Sequence, residues 1–160
     1  MNTITLSSFW RFSLTLYKND LVQTTLLHFQ NEYTANVNLA LLCAMLNKHQ
    51  VSLSKSQLIS LHQSITDFSA QYTQPLRALR QTYKNNKDEI QQYAQLRAKL
   101  LEAELVLEQQ EQALLISQLN KINVVEKQQS DNLTLYQSLV VQPNKPSLAM
   151  KLSDLNQFLL

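Results

Sequence analysis

NVNLALLCAML, residues 36–46, is the stretch that decides the fold. Its apolar side chains face every direction around a helix, which is typical of a helix at the centre of a core. Asn36 is a favoured N-cap residue, so the sequence predicts a central third helix over residues 37–48. Cys43, the single cysteine, lies inside this stretch, and we expect a buried thiol rather than a nucleophile.

The composition around this stretch favours helices over other folds. The 160 residues include no glycine, whereas an average chain of this length has about 11. Glycine forms the turns of phosphate-binding loops, dinucleotide folds, nucleophile elbows and tight hairpins. Its absence weighs against those folds, while helices can end on asparagine instead. The sequence therefore predicts an all-α protein.

Two helices are predicted before the central one. Residues 4–17 place large apolar side chains at helical spacing. Asn19 is a cap-type residue, and it opens a second predicted helix that ends near residue 32.

Two more helices are predicted after the central one. Ser54 is the expected cap of the fourth, whose apolar stripe continues to Phe68. Pro75 should kink or restart this helix, because proline lacks a backbone N–H group. The fifth helix is the longest, over about residues 87–121, with apolar residues at seven-residue intervals: Tyr93, Leu100, Leu107 and Leu114. We interpret this stripe as packing on its own domain, with a homodimer through this helix as the alternative to a monomer.

The sequence changes character near residue 123, where polar residues precede Pro143 and Pro146. We predict a helical domain over residues 1–122, a linker over residues 123–146 and an amphipathic C-terminal segment over residues 147–160. The predicted architecture is a compact array of about five helices with a long fifth helix and this appended segment.

The sequence shows no catalytic or metal-binding pattern. His28, His49 and His62 have no partner at metal-ligand spacing. Four glutamates on the fifth helix lack the histidine three positions later that di-iron helices use, and we interpret them as a solvated acidic face: Glu102, Glu104, Glu108 and Glu111. The sequence therefore predicts no enzyme, metal or cofactor. The N-terminus does not resemble a signal peptide and no apolar run is long enough to span a bilayer, so we expect a cytoplasmic protein without a membrane partner.

The most distinct charge feature is a cationic face after Pro75. Its four members are spaced at i, i+3, i+7 and i+10: Arg77, Arg80, Lys84 and Lys87. Such a face could contact the phosphates of a nucleic acid, dock on an acidic patch of a partner protein, or pair internally with the glutamates of the fifth helix. The sequence leaves these three interpretations open.

Two apolar features are further candidates for binding. The C-terminal segment has leucines at i, i+4, i+7 and i+11, which could lie in the groove of a partner or fold back on their own domain: Leu148, Leu152, Leu155 and Leu159. The N-terminal aromatic residues are ordinarily core, with a ligand pocket among their rings as the alternative: Phe9, Trp10, Phe12 and Tyr17. Nothing polar converges on these rings in the sequence.

Four segments together resemble a known family. In chain order they are FWRFSLTLY (9–17), NVNLALLCAML (36–46), PLRALR (75–80) and LRAKLLEAELVLEQQEQALL (96–115). The same order occurs in a bacterial family of small hypothetical proteins, domain of unknown function 2390, and the resemblance covers about residues 6–118. It implies a helical cytoplasmic domain without an assigned activity. The family often has Trp where this chain has Met45, and a second Trp where Phe68 or Tyr72 stands here.

These features predict a non-enzymatic protein-binding or adaptor protein. The alternative is a nucleic-acid- or ribosome-associated protein that uses the cationic face.

Overall fold

The computed structural model describes residues 4–126, 131–141 and 150–159. Within these ranges the chain forms seven α-helices and one short antiparallel strand pair. The helices are α1 (Leu6–Tyr17), α2 (Asp20–Glu32), α3 (Val37–Lys48), α4 (Lys55–Phe68), α5 (Gln74–Asn85), α6 (Tyr93–Leu119) and α7 (Asn132–Val140); the strands are β1 (Val51–Ser52) and β2 (Val125–Glu126). The all-α prediction is confirmed. The predicted number of about five helices is too low, because the segment around Pro75 is a helix of its own and α7 follows β2.

The N-caps of three helices are confirmed. The Asn19 side chain accepts hydrogen bonds from the first backbone N–H groups of α2, and Asn36 does the same for Leu39 in α3. Ser54 and Gln57 exchange the reciprocal hydrogen bonds of a capping box at the start of α4. These side chains pair N–H groups that have no partner inside the helix, and so they define where each helix begins.

The chain between α4 and α5 stays helical but widens into a π-helical turn at Ser69–Thr73. Pro75 follows in the first turn of α5, where its missing N–H group is tolerated. The predicted restart at this proline is confirmed. The wide turn brings the fully buried Thr73 against Glu111 on α6.

Helix α3 is the centre of the core, as predicted. All residues from Asn38 to Leu46 are buried, and α1, α2, α4, α6 and α7 pack around this helix. Cys43 is a free, buried cysteine, and burial raises the pKa of its thiol. A thiol held protonated in this way is unreactive, which agrees with the sequence prediction.

The C-terminal residues pack back onto α3. Helix α7 lies within the range expected to be a linker, and its Tyr136 is fully buried. Leu152 and Leu155 lie on a 3-10 helix, Leu152–Phe158, and both are fully buried in the same core, while Leu159 packs against it. Leu148 lies outside the described residues. Fully buried leucines cannot fill the groove of a partner, so in this structure the segment has folded back on its own domain.

Asparagines hold this C-terminal part in place, and we call their network the asparagine seam (Asn47, Asn132 and Asn156). Asn47 Oδ1 accepts hydrogen bonds from both the backbone N–H and the side-chain amide of Asn132, and Asn47 Nδ2 donates to Asn156 Oδ1. Asn132 also donates to the carbonyl of Val51 and accepts from the N–H of Leu53. Every side-chain polar atom of Asn132 is therefore paired, although the residue is 1% exposed.

Candidate ligand-binding cleft

A cleft of about 810 Å³ opens between α1, α2, α5 and α6 and reaches down to α3. This volume lies within the range of ligand pockets in proteins. Each helix presents one face to it. The lining residues are Trp10, Ser13, Leu14 and Tyr17 from α1; Gln23, Leu27, Gln30 and Asn31 from α2; Val37, Asn38 and Leu41 from α3; Arg77, Ala78, Arg80 and Gln81 from α5; and Arg97, Leu101, Glu104, Leu105, Glu108 and Gln112 from α6.

The deepest polar residues form a connected network, which we call the floor (Ser13, Asn38 and Gln112). All three are at least 96% buried. Gln112 Nε2 donates to Ser13 Oγ at 3.0 Å and to Asn38 Oδ1 at 2.9 Å. Asn38 Nδ2 in turn donates to Glu111 Oε2 at 2.8 Å. The floor thus ties α1, α3 and α6 together.

Glu111 lies below the floor and is 1% exposed. It accepts hydrogen bonds from Asn38, from Asn36 Nδ2 and, at 2.7 Å, from the Thr73 hydroxyl on the π-helical turn. All three donors are neutral. Within the described ranges no cation pairs with this carboxylate, which makes it a buried negative charge stabilised by hydrogen bonds.

One hydrogen-bond acceptor of the floor has no partner among the described residues. This acceptor is Gln112 Oε1, and it is buried. An unpaired buried carbonyl oxygen is unfavourable by about 1–3 kcal/mol. Such a group in a lining residue marks a position where a bound donor would be stabilised.

Around the opening lie three leucines from three helices, which we call the mouth (Leu14, Leu27 and Leu105). Their exposed fractions are 46%, 38% and 45%. Exposed leucines are common singly, but here three of them surround one cavity with a polar floor. The combination is typical of a binding cleft with an apolar entrance.

The cationic face is divided between the cleft and solvent. Arg77 donates to Glu108 at 2.7 Å and to Gln30 on α2, and so it links α2, α5 and α6. Arg80 pairs with Glu104 at 2.5 Å, and this hydrogen bond raises the pKa of the guanidinium. The interpretation that the face pairs internally with the glutamates of the long helix is therefore confirmed for its two arginines.

Lys84 is exposed on α5, and Lys87 is exposed on the 3-10 turn Lys87–Glu89. The prediction of one helix face with four cations is therefore wrong for Lys87, because α5 ends at Asn85.

The interpretation of the glutamates as a solvated face is wrong for two of the four. Glu104 and Glu111 are buried, at 5% and 1% exposure. Their environments explain it: Arg80 compensates the first, and three neutral donors from α3 and the π-helical turn stabilise the second. Both partners come from elsewhere in the chain and have no signal in the sequence of α6.

Two of the aromatic residues of α1 belong to the core and two line the cleft. Phe9 is fully buried and Phe12 packs against the core, whereas Trp10 and Tyr17 line the cleft. Burial, together with the nearby carboxylate of Glu108, raises the pKa of the Tyr17 phenol. The alternative of a pocket beside these rings therefore has a cavity and a polar floor that the local sequence did not show. One signal existed: Asn38 is a polar residue inside an otherwise apolar helix.

In the described ranges, no three His, Cys, Asp or Glu residues come together in a group that could hold a metal ion. No helix in those ranges is long and apolar enough to cross a membrane.

The described residues form a mostly helical protein with a polar-floored cleft between its helices. The family model described as a protein of unknown function (DUF2390) matches residues 8–115, and the chain therefore belongs to this family. No curated protein and no solved structure matches the chain. Every lining residue of the cleft, from Trp10 to Gln112, falls inside the matched residues, whereas α7 and the C-terminal 3-10 helix fall outside them.

Proposed function

We propose that this protein is a non-enzymatic binding protein that takes a segment of a partner protein in the cleft. The observation that carries the proposal is the buried, unpaired Gln112 Oε1, which belongs to a residue that lines the same cavity as three exposed leucines. Apolar residues around a few polar groups are the usual composition of a specific binding site.

A polypeptide matches both parts of this cleft. It carries N–H donors at regular intervals, and its apolar side chains can cover the mouth leucines, which line the cavity from three helices and are more than one third exposed. Insertion of one anchoring side chain into a pocket, surrounded by weaker contacts that exclude water, is the common pattern of protein–protein hot spots.

The lining supports binding rather than catalysis. It includes neither histidine nor cysteine, and two of its carboxylates, Glu104 and Glu108, are held by arginines. A general base needs a lone pair within reach of a substrate proton, and a carboxylate in an ion pair is a poor one.

A pair of adjacent residues on α6 tests the proposal. Leu105 and Val106 are both exposed, at 45% and 63%, but only Leu105 lines the cleft. A photo-crosslinking amino acid replaces one or the other in the full chain, and adducts formed in cells are identified by mass spectrometry. We expect polypeptide adducts from position 105 that position 106 does not give. Equal adducts at both positions, or none from either, would contradict the proposal.

The alternative function is nucleic-acid or ribosome association, and the exposure of Lys84 and Lys87 favours it. It predicts RNA binding that weakens steeply with salt and is lost in a Lys84→Glu/Lys87→Glu double variant. These lysines are better targets than Arg80, because reversing the charge of Arg80 would place two carboxylates together. Salt-independent binding, or binding that survives the double variant, would exclude this alternative.

A cytoplasmic location belongs to the proposal as an expectation from the sequence. The choice between a monomer and a homodimer through α6 is decided by sedimentation at two protein concentrations.

A further inference from the structure

We infer that the floor of the cleft receives a hydrogen-bond donor, an N–H or O–H group on an apolar stem, and rejects groups that can only accept, such as a carboxylate. The inference rests on the proposed function, because it names the chemistry of the group that enters the same cleft. Three observations carry it: the direction of the hydrogen bonds in the floor, the charge below it and the apolar mouth above it.

The direction of the hydrogen bonds is set by Glu111. An ionised carboxylate can only accept, so Asn38 must turn its Nδ2 toward Glu111 Oε2. Asn38 Oδ1 then faces Gln112, which must present its own Nε2. Gln112 Oε1 is consequently the end of the chain, and the opposite orientation of this amide would place two oxygens against each other. The unpaired atom is thus an acceptor, and its complement is a donor.

The charge around the floor favours the same chemistry. Glu104 and Glu108 are each offset by an arginine, but Glu111 is stabilised by neutral donors alone. Glu111 therefore places one uncompensated carboxylate against Asn38 of the floor, while Arg97 adds a cation only to the exposed part of the lining. Both this carboxylate and the lone pair of Gln112 Oε1 would repel an anion at the floor, where charge interactions are stronger than in water.

The apolar stem follows from the upper part of the cleft. A group that reaches Gln112 from solvent passes the leucines of the mouth, and Trp10 and Leu101 also line the cavity. A methylene chain removes apolar surface from water there, by about 0.8 kcal/mol for each buried CH₂.

Three probes with the same six-carbon stem test the inference: n-hexylammonium, 1-hexanol and hexanoate. Each is titrated into the full ¹⁵N-labelled chain, and binding is followed through backbone and side-chain amide signals of the cleft. We expect hexylammonium and hexanol to bind and to shift the Gln112 side-chain amide, with hexanoate roughly ten-fold weaker than hexanol. Hexanoate binding as tightly as hexanol, or no probe binding in the cleft, would overturn the inference.

Variants separate the contribution of Gln112 Oε1 from that of the Glu111 charge. Gln112→Met preserves most of the side-chain volume and removes the acceptor, so the advantage of hexanol over hexanoate should become smaller, and the part that remains is due to Glu111. Gln118→Met is the matched control on the same helix, outside the cleft, and it should leave the ratio unchanged. Leu105→Ala does not touch the floor, and it should weaken all three probes by a similar factor while keeping their ratio. A ratio that changes in Leu105→Ala but stays in Gln112→Met would refute the inference even if the latter variant were less stable.

This inference and the proposed function can fail separately. Discrimination among the probes without polypeptide adducts at position 105 would confirm the chemistry of the floor and contradict a protein partner. Polypeptide adducts without discrimination among the probes would support a protein partner and contradict the donor preference of the floor.

Discussion

The asparagine seam and the floor of the cleft are both buried polar networks on α3, but they differ in one respect. In the seam, Asn132 pairs all of its side-chain polar atoms and closes the C-terminal part onto β1 and α3. In the floor, the network runs from Glu111 to Gln112 and ends on an oxygen without a partner. Full pairing is what a structural network requires, whereas a buried acceptor without a partner needs a separate explanation, and the proposed ligand supplies one.

The leucines near the two networks also differ in their exposed fraction. Leu152 and Leu155 beside the seam are fully buried, while the three leucines of the mouth remain more than one third exposed. Asn132 and Asn156 of the seam lie outside the residues that the family model matches, whereas Asn47 and the whole cleft lie inside them. We therefore expect substitutions at the seam to change the stability of the fold, and substitutions at the cleft to change mainly what it binds.

The largest expected effect is on the free energy of unfolding, and it is tested by one substitution beside the seam and one at the mouth of the cleft. Leu155→Ala removes a fully buried side chain and leaves a cavity, so it should lower the free energy of unfolding by about 3 kcal/mol. Leu105→Ala at the mouth should change it by less than about 0.5 kcal/mol. Urea unfolding followed by circular dichroism measures both. Equal losses at the two positions would break the comparison.

The next effect concerns the seam itself. Asn132→Ala leaves the N–H of Leu53 and the carbonyl of Val51 buried without partners, and it should lower the free energy of unfolding by about 2–3 kcal/mol. Asn123→Ala is the control, since Asn123 is exposed. If thermal melting midpoints show the two variants to be equally stable, the seam does not hold the C-terminal part.

A smaller effect is expected at the floor. Gln112→Met removes the unpaired acceptor but also the donor to Asn38 Oδ1, and the two changes partly offset each other. We expect the free energy of unfolding to change by no more than about 1 kcal/mol, clearly less than in Asn132→Ala. A loss as large as that of Asn132→Ala would mean that the floor is as structural as the seam.

The smallest effect is a pH dependence beside the seam. The N–H of Asn36 donates to the Tyr136 hydroxyl, and that hydroxyl forms a second hydrogen bond with His62 Nδ1 at 3.1 Å, in which the hydroxyl is the donor when Nδ1 carries no proton. Burial lowers the pKa of His62 below its usual value of about 6.5. The unfolded chain therefore binds the proton at higher pH than the folded chain does. This contribution to stability is complete above about pH 6.5 and is lost as the pH falls through the folded pKa.

The measurement is the urea midpoint between pH 5 and pH 7.5. In His62→Gln the midpoint should fall less on acidification than in the unchanged chain, whereas His49→Gln, at an exposed position, should behave like the unchanged chain. An identical pH profile for His62→Gln would refute the role of this histidine.

Local patterns predicted the elements of the fold well. The all-round apolar character of residues 37–46 indicated the central helix, and Asn19, Asn36 and Ser54 indicated where helices begin. These features depend on neighbours within one or two turns, which the sequence displays directly. The sequence missed α7, because its short apolar pattern lies in a region with polar residues and prolines that favour a linker.

The sequence by itself determined that this chain is helical, that α3 lies at its centre and that Arg77 and Arg80 share a helix face with Lys84. Only the tertiary structure decided which charges are paired, which leucines are buried and where a polar atom is left over. Arg80 meets Glu104 across 24 residues of sequence, and Gln112 meets Ser13 across 99. Helical periodicity specifies which residues share a face of one helix, but not which face of another helix they contact. The chemistry of the cleft depends on those contacts between helices.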